Sequence, residues 1–195
     1  MKINSQISEI MGMFAADGCL QHNYVCIWGN INQDKDYYNN IVCPLFSKVF
    51  NRKVIAHEKK SNSVYGFYLC GNSVVNFFKQ YGFVVGSKTY TVRVPTEILK
   101  SNDLNLYASF IRGFFDCDGG LNFLKRKGNY SEFKKKFATY PRIYLVSVSK
   151  DLIQDISFML NKLNIEHTIN ESKVGNSKKN KVSAFVIVVR GVKRL

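Results

Sequence analysis

Apolar residues recur along this chain in two rhythms, and the alternation between them repeats. A first run, Ile7, Ile10, Met11 and Phe14, has helical spacing and ends at Asp17–Gly18. Phe110, Ile111, Phe114 and Phe115 repeat it before Asp118–Gly119. Asn4 or Ser5, and Asn102 or Asp103, stand where helix caps are needed. After each acid the period shortens to two, in "CLQHNYVCIWGNIN" and in "GLNFLKRK" with "YPRIYLVSVS", which predicts hairpins with one buried face. Helical spacing then returns with Tyr38, Ile41, Val42, Leu45, Phe46 and Val49, and with Leu152, Ile156, Met159, Leu160 and Leu163. Pro44 inside the first of these removes a helix hydrogen bond. Second hairpins follow, in "KVIAHEKKSNSVYGFYLCG" and "EHTINESKVGNSKKNKVSAFVIVVRG".

The spacing between copies describes a tandem duplication. Gly12 and Asp17 recur 101 residues later as Gly113 and Asp118, whereas Lys35 recurs 115 residues later as Lys150. The difference of 14 assigns an insertion to the second copy, in Lys125 to Tyr140. The first copy goes on through the helical "NSVVNFFKQYG" and "SKTYTVRVP", while the second stops at "VRGVKRL". The predicted organisation is therefore an N-terminal repeat with its linker at 1–100 and a C-terminal repeat at 101–195 that lacks the last helix. Each unit is helix, two strands, helix, two strands, an α+β arrangement.

Gly12 with Ala16, and Gly113 with Cys117, place small residues one turn apart on a helix face. That spacing lets two helix backbones approach, so the two helices are expected side by side on a pseudo-twofold axis. Asp17 and Asp118 would then emerge together at negative helix ends, a costly placement without a cation. Oxygen ligands suit Mg²⁺, which binds through one or two carboxylates plus phosphate.

Charge supplies the partner. Lys and Arg number 28 against 14 Asp and Glu, a net +14 with a pI near 9.6, which points to a polyanion. No basic amphipathic helix suggests a membrane surface, and no apolar run approaches a membrane span. Glu9 and Asp17 interrupt any leader-like core, so the chain is expected to be intracellular, in the cytoplasm or an organelle, and not secreted. Five cysteines form no CxxC pair, which argues against structural zinc and for reduced thiols. His22, His57 and His167 suggest no nucleophile–base pair.

"IMGMFAADG" and "IRGFFDCDG" resemble the nine-residue motif of the LAGLIDADG homing endonucleases, in the single-chain form with two motifs. The resemblance implies a pseudo-symmetric αββαββα pair whose antiparallel sheets form a saddle on double-stranded DNA. It implies a monomeric, site-specific endonuclease making metal-dependent double-strand breaks in intron or intein homing, with Mg²⁺ or Mn²⁺ supporting cleavage and Ca²⁺ binding alone. Asp17 and Asp118 would be the catalytic metal ligands, with the carbonyls of Ala16 and Cys117 contributing. Lys88 would lie near the scissile phosphate and Gln33 would hold active-site water. Ala15 stands where the motif often has a further acid, which Asp116 keeps. The second copy offers Val148 or Ser149 opposite Gln33 and nothing opposite Lys88, so the two strands are expected to be cut at unequal rates. Candidate DNA contacts are Gln21, Asn23, Tyr24, Trp28 and Asn30 on the first hairpin, and Asn122, Lys125, Arg126, Lys127, Arg142 and Tyr144 on the second. Lys59, Lys60, Lys173, Lys178 and Lys179 would touch the backbone. The alternatives are an RNA maturase gripping intron RNA and a catalytically silent DNA-binding protein of the same fold.

Overall fold

A computed structural model describes residues 2–125, 139–174 and 182–190. Helix α1 (Ser5–Asp17) leads into β1 (Gly18–Leu20) and β2 (Tyr24–Asn30). Helices α2 (Lys35–Tyr37) and α3 (Cys43–Phe50) are joined by a π-helical turn, Tyr38–Val42. Next come β3 (His57–Lys59), β4 (Val64–Cys70) and α4 (Asn72–Gln80). A linker with α5 (Thr96–Ser101) brings the chain to α6 (Leu104–Asp118), β5 (Gly119–Lys125), β6 (Thr139–Ser147), α7 (Lys150–Lys162), β7 (His167–Val174) and β8 (Val182–Arg190). The two sheets are antiparallel with the same strand order, β1-β2-β4-β3 and β5-β6-β8-β7. No helix among the described residues is long and apolar enough to cross a membrane.

Local chemistry explains the helix boundaries. Asn4 Oδ1 accepts from Ile7 N at 3.0 Å, and the Asp103 carboxylate accepts from Asn105 N at 2.9 Å, so each caps a motif helix. Asn102, left-handed at φ 52°, ends α5 instead. Pro44 follows directly on the π-helical turn, whose wider register accommodates the missing N–H inside a continuous helical run. That turn also shifts the helical phase. Tyr38, Val42 and Phe46 are buried, whereas Ile41, expected in the same stripe, is 46% exposed.

Helices α1 and α6 form the central seam. A Cβ on Gly12 would lie 2.1 Å from the Phe110 carbonyl oxygen, and one on Gly113 would lie 2.1 Å from that of Glu9. The clashes are reciprocal, as a twofold contact requires, and no side chain larger than hydrogen fits either place. Ser8 Oγ donates to the Leu106 carbonyl at 2.7 Å, and Arg112 forks onto both oxygens of the Glu9 carboxylate across the same seam.

The sheets lay their apolar faces against these helices. Val25, Ile27, Phe67 and Leu69 are buried in the first, Leu145 and Ile187 in the second. In the first half α4 closes the core: Phe78 stacks on Phe14 at 3.9 Å, and Phe83 meets Phe14 edge-on at 5.0 Å. Phe115, the counterpart of Phe14, instead lines an open groove of about 310 Å³ with Ile111, Leu145, Leu160 and Val189. Among the described residues no helix follows β8.

Candidate active site at the helix ends

The seam delivers Asp17 and Asp118 as the last residues of α1 and α6. Each helix stops at once because Gly18 and Gly119 swing into extended backbone. A Cβ at either glycine would strike the Phe14 or Phe115 ring of its own helix at 2.2 Å. The glycine of each Asp-Gly pair is therefore needed for close packing rather than for a left-handed turn.

Desolvation and mutual repulsion act on the acids. Burial, then the neighbouring Asp118, push the Asp17 pKa up to about 6, against a thiol hydrogen bond from Cys117 and the charge of Lys88. Asp118 is more open to solvent as a residue, yet desolvation of its carboxyl also raises its pKa, with Lys88 pulling the other way. Burial holds the Cys117 thiol protonated, and both aspartates reinforce that. The Cys117 side chain, expected to matter only through its carbonyl, is thus a donor to Asp17.

Lys88 reaches into this negative pocket. Its Nζ donates to the carbonyls of Ala15 and Ala16, each at 2.7 Å, satisfying two acceptors at the α1 terminus. Burial lowers its pKa, while Asp118 and Asp17 work to keep the charge. A turn places it, since Thr91 and Val92 both donate their N–H to the Lys88 carbonyl. The linker beyond is pinned to α7 in the other half. Arg93 grips Asp155 with two bonds of 3.1 and 2.8 Å, Val94 N donates to the same carboxylate, and Ser149 Oγ donates to the Val92 carbonyl. A cavity of about 290 Å³ opens beside Lys88 and Asp118, lined also by Ala16, Val146, Ser147 and Val148.

The helix-end carboxylates fit a divalent ion in part. Paired, desolvated acids call for positive charge, and an ammonium answers that call here. Among the described residues no three His, Cys, Asp or Glu side chains gather to hold an ion alone, so phosphate and water would have to complete a ligand shell. The Ala16 carbonyl, already accepting from Lys88, has a second lone pair that a ligand role would use.

The other candidates are dispersed. Gln33 is exposed in the turn after β2, where its N–H donates to Asn30 Oδ1 at 3.2 Å. Its neighbour Asp34, which the sequence did not single out, lies close enough to raise the Asp17 pKa. Opposite Gln33, Ser149 is fully buried and caps α7, accepting from Leu152 N, so only Val148 faces the cavity there. Asp116 accepts from Tyr37 Oη at 2.9 Å and ties α2 to α6.

On the outer sheet face, the ring of Trp28 meets Tyr68 at 4.9 Å and His57 at 5.4 Å, with Lys59 Nζ 5.9 Å over it. Tyr24 joins through Tyr68 at 5.3 Å, an aromatic patch of which the sequence disclosed only two members. Gln21 Nε2 donates to Cys19 Sγ at 3.2 Å, Asn23 is exposed, and Asn30 Oδ1 is taken up by the turn. Asn122 pairs with Arg142, and Tyr144 lies two residues along on the same face. Lys125 ends β5 opposite Thr139, at the alternate register position to Asn122. Arg126, Lys127, Lys178 and Lys179 lie outside the described residues, while Lys60 and Lys173 are exposed. His167 Nε2 bonds Ser157 Oγ at 2.6 Å and its Nδ1 meets the Ile165 carbonyl, a contact that ties α7 to β7.

Two capped helices crossing at glycine, each delivering an acid beside the other, over paired β1-β2-β4-β3 sheets, decide the fold. This is the LAGLIDADG fold in its two-motif form. A family described as the LAGLIDADG-like domain matches residues 105–194. The homing endonuclease I-DmoI superposes with a TM-score of 0.58 at 14% identity, covering 95% of this chain and 84% of that one. I-LtrWI, a LAGLIDADG homing endonuclease bound to its target DNA, gives 0.56 at 14% identity, covering 96% and 78%. The N-terminal LAGLIDADG domain of DUF199/WhiA gives 0.55 at 13% identity, covering 96% and 75%. In sequence the chain is 26% identical over 174 residues to a component of the A-type ATP synthase of Pyrococcus abyssi. It is also 26% identical over 185 residues to the replication factor C small subunit of Methanocaldococcus jannaschii. Those matches take in 89% and 95% of this chain but only 15% and 9% of those proteins.

Proposed function

We propose that this LAGLIDADG protein is a divalent-metal-dependent, site-specific DNA endonuclease. One observation carries the reading: two desolvated aspartates end paired helices, and the ammonium of Lys88 lies beside them. Acids with raised pKa, placed in a cleft by an independent structural device, are what a metal-dependent phosphoryl-transfer site needs. A purely DNA-binding protein of this fold has no use for that cost. Solved relatives include I-DmoI complexes with DNA and Ca or Mn, so Mg²⁺ or Mn²⁺ is the proposed cofactor.

When bound, such an ion supplies Lewis-acid activation of water and neutralises charge at the scissile phosphate. Asp17 and Asp118 hold it from the protein side, with the Ala16 and Cys117 carbonyls at the same helix ends. Lys88 exchanges its carbonyl partners for a phosphate oxygen as DNA enters. Asn122, Arg142 and Tyr144 on one sheet, and Asn23, Tyr24 and Trp28 on the other, face the duplex. With net charge +14, phosphate contacts dominate affinity and make it fall steeply with salt. The segment recurs as a small part of two proteins with unlike names, which suits a module serving its own reaction, such as intron or intein homing.

The test is cleavage of a randomised duplex library with Mg²⁺, beside Asp17→Asn and Asp118→Asn. Cuts at one long consensus, lost by about 10³-fold or more in either variant, are expected on the scale of removing a group that stabilises transition-state charge. Tight binding without cutting, by the unaltered protein and the variants alike, would replace this reading with a DNA-binding role like that of a silent family member.

A further inference from the structure

Tyr38 carries a hydroxyl that nothing in the protein satisfies. The residue is 3% exposed, and its Oη is the buried side-chain polar atom without a hydrogen-bond partner among the described residues. Such groups are rare, and a water or ion usually accounts for them. The residue sits in the core against the ring of Tyr65, with one carboxylate near its own ring. A Cβ on Gly29 would lie 2.5 Å from Asp34 Oδ2 and 2.8 Å from Tyr38 Cε2, so the carboxylate and the ring meet over that glycine. Asp34 is held there by the Asn30 N–H. Burial raises the pKa of the hydroxyl most, and Cys117, Asp17 and Asp34 add to that electrostatically, so the metal-ligand candidate of α1 lies within electrostatic range of it.

The second half has no such arrangement. With the offset of 115 set by Lys35 and Lys150, Asp34 corresponds to Ser149 and Tyr38 to Ile153. Ser149 caps α7 and bonds the Val92 carbonyl, and Ile153 is buried in the core.

We propose that Tyr38 is a positioning residue of the Asp17 half: its hydroxyl donates to one buried water whose two hydrogens bridge the carboxylates of Asp34 and Asp17. That geometry satisfies three partners of the water and relieves the repulsion between two acids. It fixes the Asp17 carboxylate in the orientation presented to a metal, as outer partners of ligands do.

The inference rests on the proposed metal role of Asp17, so its test keeps the two apart. Tyr38→Phe removes only the oxygen. Mn²⁺ binding to the whole protein, followed by electron paramagnetic resonance, is expected to weaken about 10-fold, the lower end of effects seen for outer partners of metal ligands. Thermal stability should stay nearly level, because the hydroxyl and the water it holds leave together. On the DNA target selected above, nicking of one strand should slow while the other keeps its rate. Ile153→Val, at the equivalent place, should leave Mn²⁺ affinity unchanged. Unchanged Mn²⁺ affinity in Tyr38→Phe would overturn the proposal, as would lower stability with an equal loss on both strands. If the unaltered protein binds Mn²⁺ but cuts no DNA, the endonuclease reading fails while the Mn²⁺ comparison still decides the role of Tyr38.

Discussion

The two halves share a helix, a sheet order and a terminal acid, but they differ in what surrounds that acid and what covers the core. Around Asp17 gather Asp34 and Tyr38, while the linker-borne Lys88 acts on both acids and shares the cavity of Asp118. Around Asp118 the cavity wall is Val146, Ser147, Val148 and Ala184. Behind the first sheet α4 inserts Val74, Val75, Phe77 and Phe78, whereas the second sheet leaves a groove beside Phe115, with Ile143 and Ile165 each 37% exposed. The difference teaches that a duplicated fold need keep its symmetry only at the seam, where two backbones touch and neither can change alone. Away from the seam each copy has acquired its own partners.

Substitution at the seam should give the largest effect. Gly113→Ala and Gly12→Ala each drive a methyl into a facing carbonyl, so both are expected to cost at least about 3 kcal/mol or to prevent folding, in equal measure. Chemical denaturation checks this, and a strongly unequal pair would show that the contact is not a twofold one. Next in size, Asp155→Ala should cost about 2–3 kcal/mol, because Arg93 and the Val94 N–H lose their acceptor. It should also slow cleavage by freeing the linker that carries Lys88, whereas Asn40→Ala, at the equivalent residue of the first half, should do neither. Smallest is the effect of the acids on stability. A carboxyl whose folded pKa is raised to about 6 from 3.8 destabilises the fold at pH above 6, and this cost fades as pH falls toward 4. Asp17→Asn should therefore raise stability by roughly 2 kcal/mol at pH 8, discounted for partial exposure, and by almost nothing at pH 4. Melting curves at the two pH values check the sign. A smaller gain for Asp118→Asn would sharpen the contrast between the halves.

Much of this was legible in the residues because it is local. Helical and strand periods, the caps at Asn4 and Asp103 and the repeated acids all report on chain neighbours. Alternation also offered Tyr24 and Trp28 as outer-face candidates, and the strand pairing fixed their register. The phase shift that exposes Ile41 was not legible, since the π-helical turn before Pro44 adds a residue that a regular period cannot foresee. Nor were Asp34 and Tyr38, each an ordinary cap or core residue in its own segment. His167 with Ser157 shows the same limit, because a pair 10 residues apart across a helix end and a strand leaves no periodic trace.

The sequence by itself determined the duplication, the α+β element order, the basic surface and the two acids, because spacing and composition encode them directly. Only the tertiary structure decided that Gly12 and Gly113 face carbonyls, that Lys88 bonds the end of α1 beside both acids, and that Asp34 and Tyr38 come to the Asp17 side. Those facts depend on how segments up to 103 residues apart meet, as Glu9 and Arg112 do, and distance along a chain carries no information about distance in space.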